Sequence, residues 1–369
     1  MVFELPASGG AATLYSFPPA TYGSYAQSGL TQDAQGNLYG TTVSGGTRDW
    51  GVLYKLTPAG DSVLHNYQYT SGGGGLSLDS AGNLYGTSAE LEGSQLVAYL
   101  FRRSPAGQFT MLHAFTGGVG GVGCYGVIPD PAGDLYGASG PGKYGDGLIF
   151  KLSPSGEYTV LHSFTGGADG NSPNNALTLD PAGNLYGMTN GGGIGAGVVF
   201  KITPAGAFSV LYTFTAYADG GYPLFGVVLD KAGNLYGTTA GYGELAGGKF
   251  GQGVVFELET GGTYKVLYTF TGGADGGGPG SLVRDSAGNL YGTTENDGDS
   301  QCDVGAPGGC GVVFQLTPSG VFSVLHAFTG GADGGVPYAG PILGLDGSLY
   351  GTTGRGGTAN AGVVYKIMP

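Results

Sequence analysis

The sequence predicts an all-β protein, a seven-bladed β-propeller of four-stranded antiparallel blades that is closed by strands from both termini. First, the motif Leu-Tyr-Gly recurs at successive spacings of 46, 51, 50, 50, 55 and 59 residues, and such a period is typical of one repeated supersecondary unit. Second, each repeat contains four short alternating segments separated by turn residues. Third, no segment shows the helical period of apolar residues. The motif tyrosines are Tyr39, Tyr85, Tyr136, Tyr186, Tyr236, Tyr291 and Tyr350.

The fourth repeat shows the strand order of a blade, and we call its strands A, B, C and D. Strand A ends at Asp180, and the turn Pro181-Ala182-Gly183 leads into strand B, because Pro presets a turn φ and Gly accepts a positive one. A Gly-rich loop connects strands B and C, a short turn connects C and D, and a longer Gly/Asp loop leads to the next strand A. The predicted strands are 176–179, 184–189, 197–202 and 208–214.

The two ends of the chain contain complementary parts of one blade. Strands A, B and D each occur seven times, whereas strand C occurs eight times, so the chain begins with C and D and finishes with A, B and C. We therefore expect the last blade to combine strands from both termini, which makes residues 1–369 a single domain. The hairpin after Tyr350 favours 363–367 as the regular strand C and leaves 1–5 as an extra outer strand, or the reverse. An eighth blade is the less favoured interpretation.

Composition limits the classes of partner. The net charge is −13 and the pI is about 4.5, which argues against nucleic acid or an anionic membrane surface as partner. No apolar run reaches 18 residues, so we expect no membrane insertion. The 81 glycines occupy fixed places in the repeats beside 41% apolar residues, which favours a packed protein over a disordered one.

The three cysteines are too few for a disulfide scaffold. Cys302 and Cys310 lie in one Gly-rich insert and are predicted to form a disulfide, with two free thiols as the alternative. Cys124 has no evident partner, and we expect it to be buried.

The repeats resemble the tandem-repeat family called GloVer and, more distantly, NHL-type propeller blades. The resemblance rests on Gly183-Asn184-Leu185-Tyr186-Gly187 with Gly197-Val198-Val199-Phe200, and it extends over essentially the whole chain. The last repeat departs from the pattern, since Ser348 stands in place of Asn. The resemblance implies a propeller of secreted or cell-surface bacterial proteins, and it implies no catalytic residues.

Several polar residues recur at fixed repeat positions and are predicted to be structural. The four histidines share one strand-D position with tyrosines, and five basic residues share one strand-C position. Aspartates of the D–A loops occur in Ala-Asp-Gly turns, where Asp bonds its own backbone. We therefore expect no cofactor. Calcium is the alternative, and its weak candidate ligands are Asp297, Asp299 and Asp303.

Irregular residues concentrate in the B–C and D–A loops, which emerge at the same end of a four-stranded blade. Residues that the scaffold does not require are free for function, and Tyr and Trp combine an apolar body with a polar group. We therefore predict a non-catalytic binding face for carbohydrate or a protein partner. Its candidate residues are Tyr22, Arg48, Asp49, Trp50, Tyr125, Tyr144, Tyr222, Tyr242 and Tyr338; Tyr25, Tyr217 and Phe225 lie in the same loops.

Two alternatives to the binding function remain open. A polysaccharide lyase or hydrolase would need a convergent acid and base on the same face. A structural surface protein would associate with itself, whereas the binding function is compatible with a monomer or with weak self-association. The candidate catalytic residues are Arg48, Glu90, Glu92, Glu244, Arg284 and Glu295.

Overall fold

The computed structural model describes residues 11–18, 23–69, 74–93, 95–117, 124–140, 142–173, 176–241, 243–245, 249–298, 302 and 308–369. Within these ranges the secondary structure is β-strand and turn, with no helix. Accordingly, the described residues contain no helix long and apolar enough to cross a membrane.

The strands are short and follow the predicted repeat order. They are β1 (Ala12–Ser16), β2 (Thr31–Gln32), β3 (Leu38–Thr41), β4 (Val52–Thr57), β5 (Gly60–Asn66), β6 (Ser77–Leu78), β7 (Leu84–Glu92), β8 (Gln95–Arg103), β9 (Phe109–Phe115), β10 (Cys124–Pro129), β11 (Leu135–Ser139), β12 (Leu148–Leu152), β13 (Tyr158–Ser163), β14 (Asn171–Pro173), β15 (Thr178–Leu179), β16 (Leu185–Gly191), β17 (Val198–Ile202), β18 (Phe208–Thr213), β19 (Val228–Leu229), β20 (Leu235–Thr239), β21 (Glu244–Leu245), β22 (Lys249–Phe250), β23 (Val254–Leu258), β24 (Tyr264–Thr269), β25 (Gly277–Arg284), β26 (Leu290–Asn296), β27 (Val312–Leu316), β28 (Phe322–Ala327), β29 (Ile342–Leu343), β30 (Leu349–Thr352) and β31 (Val363–Ile367).

These strands form seven antiparallel sheets of the propeller-blade type, which confirms the predicted fold class. Blades 1, 2 and 3 are β2–β5, β6–β9 and β10–β13. Blade 4 is β15–β18, with β14 as an additional partner of β16; blade 5 is β19, β20, β23 and β24; and blade 6 is β25–β28. The insert of blade 5 contributes the separate hairpin β21–β22.

Contacts divide the chain into two compact units. The first unit comprises Met1–Leu76 with Phe270–Pro369, and the second comprises Ser77–Thr269. In each unit the apolar residues of strands B and C pack between neighbouring blades; in the second unit, for example, Met188 and Phe256 belong to one buried cluster. The single-domain assignment stays a prediction.

Blade 7 combines strands from both ends of the chain, as predicted. Its strand order is β1-β31-β30-β29, and β1 pairs with β31 through Thr13 opposite Tyr365 and Tyr15 opposite Val364. The C-terminal copy of strand C therefore occupies the regular position. The surplus copy, residues 1–5, lies outside the described residues.

The repeated A–B turn is held by one carboxylate. In blade 4, Asp180 accepts hydrogen bonds from the backbone of Ala182 (2.9 Å) and Asn184 (2.8 Å), from the side chain of Asn184 (2.7 Å) and from the hydroxyl of Tyr186 (3.1 Å). Lys201 of strand C lies over the Tyr186 ring, with its Nζ 5.4 Å from the ring centroid. The repeat Asp-x-x-Gly-Asn-Leu-Tyr-Gly is therefore a hydrogen-bonded unit, and its lysine belongs to the scaffold.

The glycine after each motif tyrosine makes room for an aromatic ring. Gly187 lies opposite Phe200 in the ladder, and a Cβ on Gly187 would lie 2.5 Å from Cζ of that ring. Glycine in a strand often marks the close approach of another backbone, but at Gly187 no neighbouring blade provides the nearest atoms. The nearest atoms belong to strand C of the same blade.

The strand-D histidines are structural, as predicted. His162 stacks on Phe208 of the next blade, with ring centroids 3.7 Å apart, and its Nε2 lies 3.1 Å from the Asp169 carboxylate. Tyr212 occupies the same position one blade later, where it stacks on Tyr264 and donates to Asp219 at 2.9 Å. The D–A loop aspartates therefore close their own turns and orient the strand-D aromatic residue.

Candidate functional site

The B–C and D–A loops meet at one end of the blades. Antiparallel bridges join the two loop types in both units, for example between Gly221 and Gly241 and between Gly335 and Arg355. The two loop types therefore lie at the same end of a blade, as predicted, and the bridges show in addition that they pair. The A–B and C–D turns lie at the other end of each blade.

All exposed aromatic side chains of the described residues lie in these loops. The most exposed one is Tyr217, at 65%. Trp50 and Tyr144 belong to B–C loops, and the others belong to D–A loops. The set is Tyr25, Trp50, Tyr144, Tyr217 and Tyr222.

Tyr222 is held by its own backbone. Its φ is +56°, a left-handed conformation that is uncommon for residues other than glycine. Its N–H donates to the carbonyl of Ala196 in the blade-4 B–C loop (2.9 Å), and its carbonyl accepts from the N–H of Ala240 in blade 5 (3.2 Å). Tyr222 thus links two blades through its main chain, which leaves its side chain at a defined place on the loop surface.

Apolar neighbours extend this surface in the second unit. Tyr217 lies in the same loop as Tyr222, and its carbonyl accepts from Gly220 and Gly243. Leu224 follows Tyr222 in the loop, and Ile194, exposed at 70%, lies in the B–C loop that Tyr222 contacts through Ala196. We call Ile194, Tyr217, Tyr222 and Leu224 the blade-4/5 patch.

The first unit repeats this geometry at Tyr25. Its φ is +58°, its N–H donates to Ala361 (2.9 Å), and its carbonyl accepts from Val43 (3.1 Å). Trp50 occupies the position of Ala361 in blade 1, and it is 44% exposed whereas Ala361 is 3% exposed. An exposed indole therefore replaces a buried methyl group at this point of the repeat.

The other candidate binding residues of blade 1 have defined contacts. The Arg48 guanidinium lies 5.9 Å from the ring centroid of Tyr69. The Asp49 carboxylate accepts from the N–H of Gly45 at 2.7 Å, so it shapes its own loop. Arg48 and Trp50 lie on the same loop, and the Asp49 side chain stabilises the turn of that loop.

The remaining candidate tyrosines differ in environment. Tyr144 is exposed, and Lys143 Nζ lies 5.0 Å from its ring centroid. Tyr338 is partly buried against Gly354, where a Cβ would lie 2.7 Å from the Tyr338 ring, so it packs two loops together. Tyr22, Tyr242 and the side chain of Tyr125 lie outside the described residues.

The candidate catalytic residues do not share one end of the blades. Strand β25 ends at Arg284, where the chain enters the A–B turn of blade 6. Arg284 therefore lies at the A–B turn end of this blade, whereas Glu295 lies at the other end, where the B–C loop begins. The prediction that Arg284 faces the loop surface is wrong, because strand A runs toward the A–B turn. Burial raises the pKa of Glu295 above its usual value.

The other carboxylates of this set lie in the second unit. Glu90 and Glu92 are exposed on the long hairpin β7–β8, and Glu92 accepts a hydrogen bond from Tyr99. The side chain of Glu244 lies outside the described residues.

The blade-6 insert contains the predicted disulfide. Cys302 and Cys310 are joined, with Cα atoms 5.4 Å apart. Burial and the Asp275 charge raise the pKa of Asp297, while Asp299 and Asp303 lie outside the described residues. Among the residues that the structure describes, no three His, Cys, Asp or Glu side chains are grouped closely enough to hold a metal ion.

Ile194 and Leu224 belong to this surface but were not predicted from the sequence. Both are apolar residues in loops that are otherwise rich in Gly and polar residues, which is the signal that would have identified them. Their exposure depends on the loop pairing, which the sequence does not reveal.

Comparisons with solved structures find similar folds at low identity. The extracellular domain of a proposed one component system from B. thetaiotaomicron is 11% identical with a TM-score of 0.56, and the match covers 96% of this chain and 39% of that chain. A protein from Lactobacillus plantarum is 15% identical with a TM-score of 0.53, covering 90% and 87%. A gluconolactonase from Xanthomonas campestris is 16% identical with a TM-score of 0.49, covering 78% and 86%. At these identities the likeness concerns the fold alone.

The sequence itself matches a repeat family. A search of curated proteins finds no significant match. The model of the Gloeobacter/Verrucomicrobia repeat matches residues 1–193 and 73–304, which together span most of the chain and contain the motifs described above. The chain therefore belongs to the Gloeobacter/Verrucomicrobia repeat family.

Proposed function

We propose that this protein is a non-catalytic binding module that recognises a neutral glycan at the end of its blades formed by the B–C and D–A loops. The observation that carries the proposal is the placement of the exposed aromatic side chains, all of which lie in these loops within the described residues. Aromatic rings present a flat apolar face with a polar edge, which suits the faces of sugar rings.

The blade-4/5 patch has the rigidity that such recognition requires. Main-chain hydrogen bonds to Ala196 and Ala240 hold Tyr222 in place, so little backbone entropy is lost when a ligand binds. Tyr217 and Leu224 extend the apolar surface along the same loop. A preorganised surface of this kind favours binding of an extended neutral chain.

Charge favours a neutral ligand over an acidic one. The chain carries a net charge of −13, and only 13 of its residues are Lys or Arg. An acidic polysaccharide would meet net repulsion at low ionic strength. A protein partner is the competing interpretation of the same aromatic surface.

A glycan array followed by calorimetry tests the proposal. Tyr217→Ala and Tyr222→Ala are each expected to weaken binding of the selected neutral glycan about tenfold, corresponding to ~1.4 kcal/mol. Leu345→Ala is the matched control, because Leu345 is an exposed apolar residue in an A–B turn, and it is expected to leave binding unchanged.

The outcomes separate the alternatives. Absence of glycan binding, or binding that survives both tyrosine variants, would refute the proposal. A preference for uronic-acid polymers would contradict the charge argument. The enzyme and self-association alternatives stay predictions, and product analysis and light scattering test them directly.

A further inference from the structure

A repeated aromatic side chain fills the space between neighbouring blades near the C–D turns. It stands at the start of strand D, opposite the end of strand C: Phe208 lies opposite Ile202, and Tyr264 lies opposite Leu258. In the second unit this ring stacks on the strand-D aromatic residue of the preceding blade, at 3.7 Å for Phe208 and 4.1 Å for Tyr264. The residues at this position in blades 2 to 6 are Phe109, Tyr158, Phe208, Tyr264 and Phe322.

Blade 1 lacks this ring. The ladder places Asp61 opposite Leu56, the position that carries an aromatic residue in blades 2 to 6. Tyr15, the strand-D aromatic residue of blade 7, donates to the Asp61 carboxylate at 3.3 Å. An aspartate therefore replaces an aromatic ring at the junction of blades 7 and 1, both of which lie in the first unit.

A groove of about 270 Å³ occupies this junction. Its lining includes Leu14 and the buried side chains of Leu38 and Leu56, together with Tyr15 and Asp61. The corresponding groove between blades 4 and 5, where Tyr264 is present, has a volume of about 170 Å³. The larger volume coincides with the missing ring.

The charges around the groove are unbalanced. Lys366 lines it as well, but its Nζ lies 2.7 Å from the Asp346 carboxylate. Asp61 forms no ion pair with Lys or Arg among the described residues. Asp61 is exposed and adds a negative charge beside the apolar lining of the groove, and this charge favours a cationic group there.

We propose that the groove between blades 7 and 1 binds a small aromatic cation, an amine or amidine on a flat ring. The ring takes the place that Phe208 and its equivalents occupy in other blades and packs on Leu38 and Leu56. The cationic group faces the Asp61 carboxylate, and a charge-assisted hydrogen bond orients it. This site lies at the C–D turn end of its own blades in the first unit, whereas the proposed glycan contacts come from B–C and D–A loops, so the two proposals use different residues and are independent.

Three probes of similar shape test the proposal by ligand-detected NMR and calorimetry. Benzamidine is cationic, benzamide is neutral and benzoate is anionic. Benzamidine is expected to bind with a Kd of about 1 mM, as suits its small size. Benzamide is expected to bind more weakly, and benzoate is expected not to bind.

Two variants of Asp61 separate charge from shape. Asp61→Asn keeps the volume and is expected to weaken benzamidine about tenfold while leaving benzamide unchanged. Asp61→Phe restores the repeated ring and is expected to abolish binding of both probes. Glu157→Phe is the matched control, because Glu157 is an exposed carboxylate in the C–D turn of blade 3, and it is expected to have no effect.

Equal binding of benzamidine and benzoate would overturn the proposal, as would benzamidine binding that persists in Asp61→Phe. If Asp61→Phe does not fold, Asp61→Asn alone decides, because unchanged benzamidine affinity in that variant removes the role of the charge. Glycan binding is the internal reference: it is expected to be equal in all Asp61 variants that fold.

Discussion

Replacement of Gly187 by alanine tests the packing that the whole repeat depends on. The new Cβ would lie 2.5 Å from Cζ of Phe200 and 2.9 Å from Cδ2 of Leu177, whereas carbon atoms in contact prefer about 3.5–4.0 Å. The Phe200 ring is fully buried and must therefore move by about 1 Å. Such overpacking costs about 1–3 kcal/mol, and the loss of glycine from a strand returns ~0.5–1 kcal/mol.

A contact of 2.5 Å belongs to the severe end of overpacking, about 2–3 kcal/mol, so we expect a net loss of about 1–2.5 kcal/mol in the free energy of unfolding. Urea titration followed by circular dichroism measures this loss. Gly261→Ala is the matched control, because no atom lies within 4 Å of a Cβ placed on this turn glycine, and it is expected to change stability by less than about 0.5 kcal/mol.

The double variant Gly187→Ala/Phe200→Leu identifies the cause of the loss. A smaller side chain at position 200 has room for the new methyl group, so the two changes are expected to cost less together than the sum of their separate costs. The reasoning is refuted if Gly187→Ala is as mild as Gly261→Ala, or if the two changes are additive.

Three further predictions concern stability. Tyr365→Phe is expected to raise the free energy of unfolding by about 1 kcal/mol, because the buried Tyr365 hydroxyl has no hydrogen-bond partner among the described residues; destabilisation in urea would contradict this. Burial raises the pKa of Asp180, but hydrogen bonds from Asn184 and Tyr186 lower it by a larger amount. The pKa of Asp180 is therefore below its ordinary value of 3.8. The stability that Asp180 contributes is therefore present above that value and lost as the pH falls below it, and Asp180→Asn is expected to flatten this part of the stability–pH curve. Reduction of the disulfide between Cys302 and Cys310 is expected to cost about 2–3 kcal/mol, measured by unfolding with and without dithiothreitol, and the variant with serine at both positions is expected to be insensitive to the reductant.

The blades were predictable because local chemistry specifies them. Asp180, Asn184 and Tyr186 form a hydrogen-bonded turn from residues close in sequence, and the same spacing recurs with little change. The terminal blade was predictable by counting strands. The last strands A, B and C have no strand D after them, and the first part of the chain supplies one. The reason for the glycine after each tyrosine was not predictable, because it depends on which strand-C side chain lies opposite Gly187.

The loop surface was predictable only in outline. Loop connectivity placed Trp50 and Tyr222 at one end of the blades, but it could not show that Tyr338 packs against Gly354 while Tyr217 is exposed. Side-chain burial depends on contacts between loops far apart in sequence. The replacement of a ring by Asp61 also escaped sequence reasoning, because the C–D turn is one residue shorter in blade 1 and the equivalence appears only in the strand register.

The pairing of β1 with β31 affects how the protein is made. The ribosome produces Ala12–Ser16 well before Val363–Ile367, yet the edge that this segment joins is completed only when Val363–Ile367 has been synthesised. Until then the early strand has unsatisfied amide and carbonyl groups that other chains are able to capture. Chains that terminate before Val363 would keep these unpaired backbone groups permanently. Premature termination is therefore expected to yield aggregates instead of a smaller soluble protein.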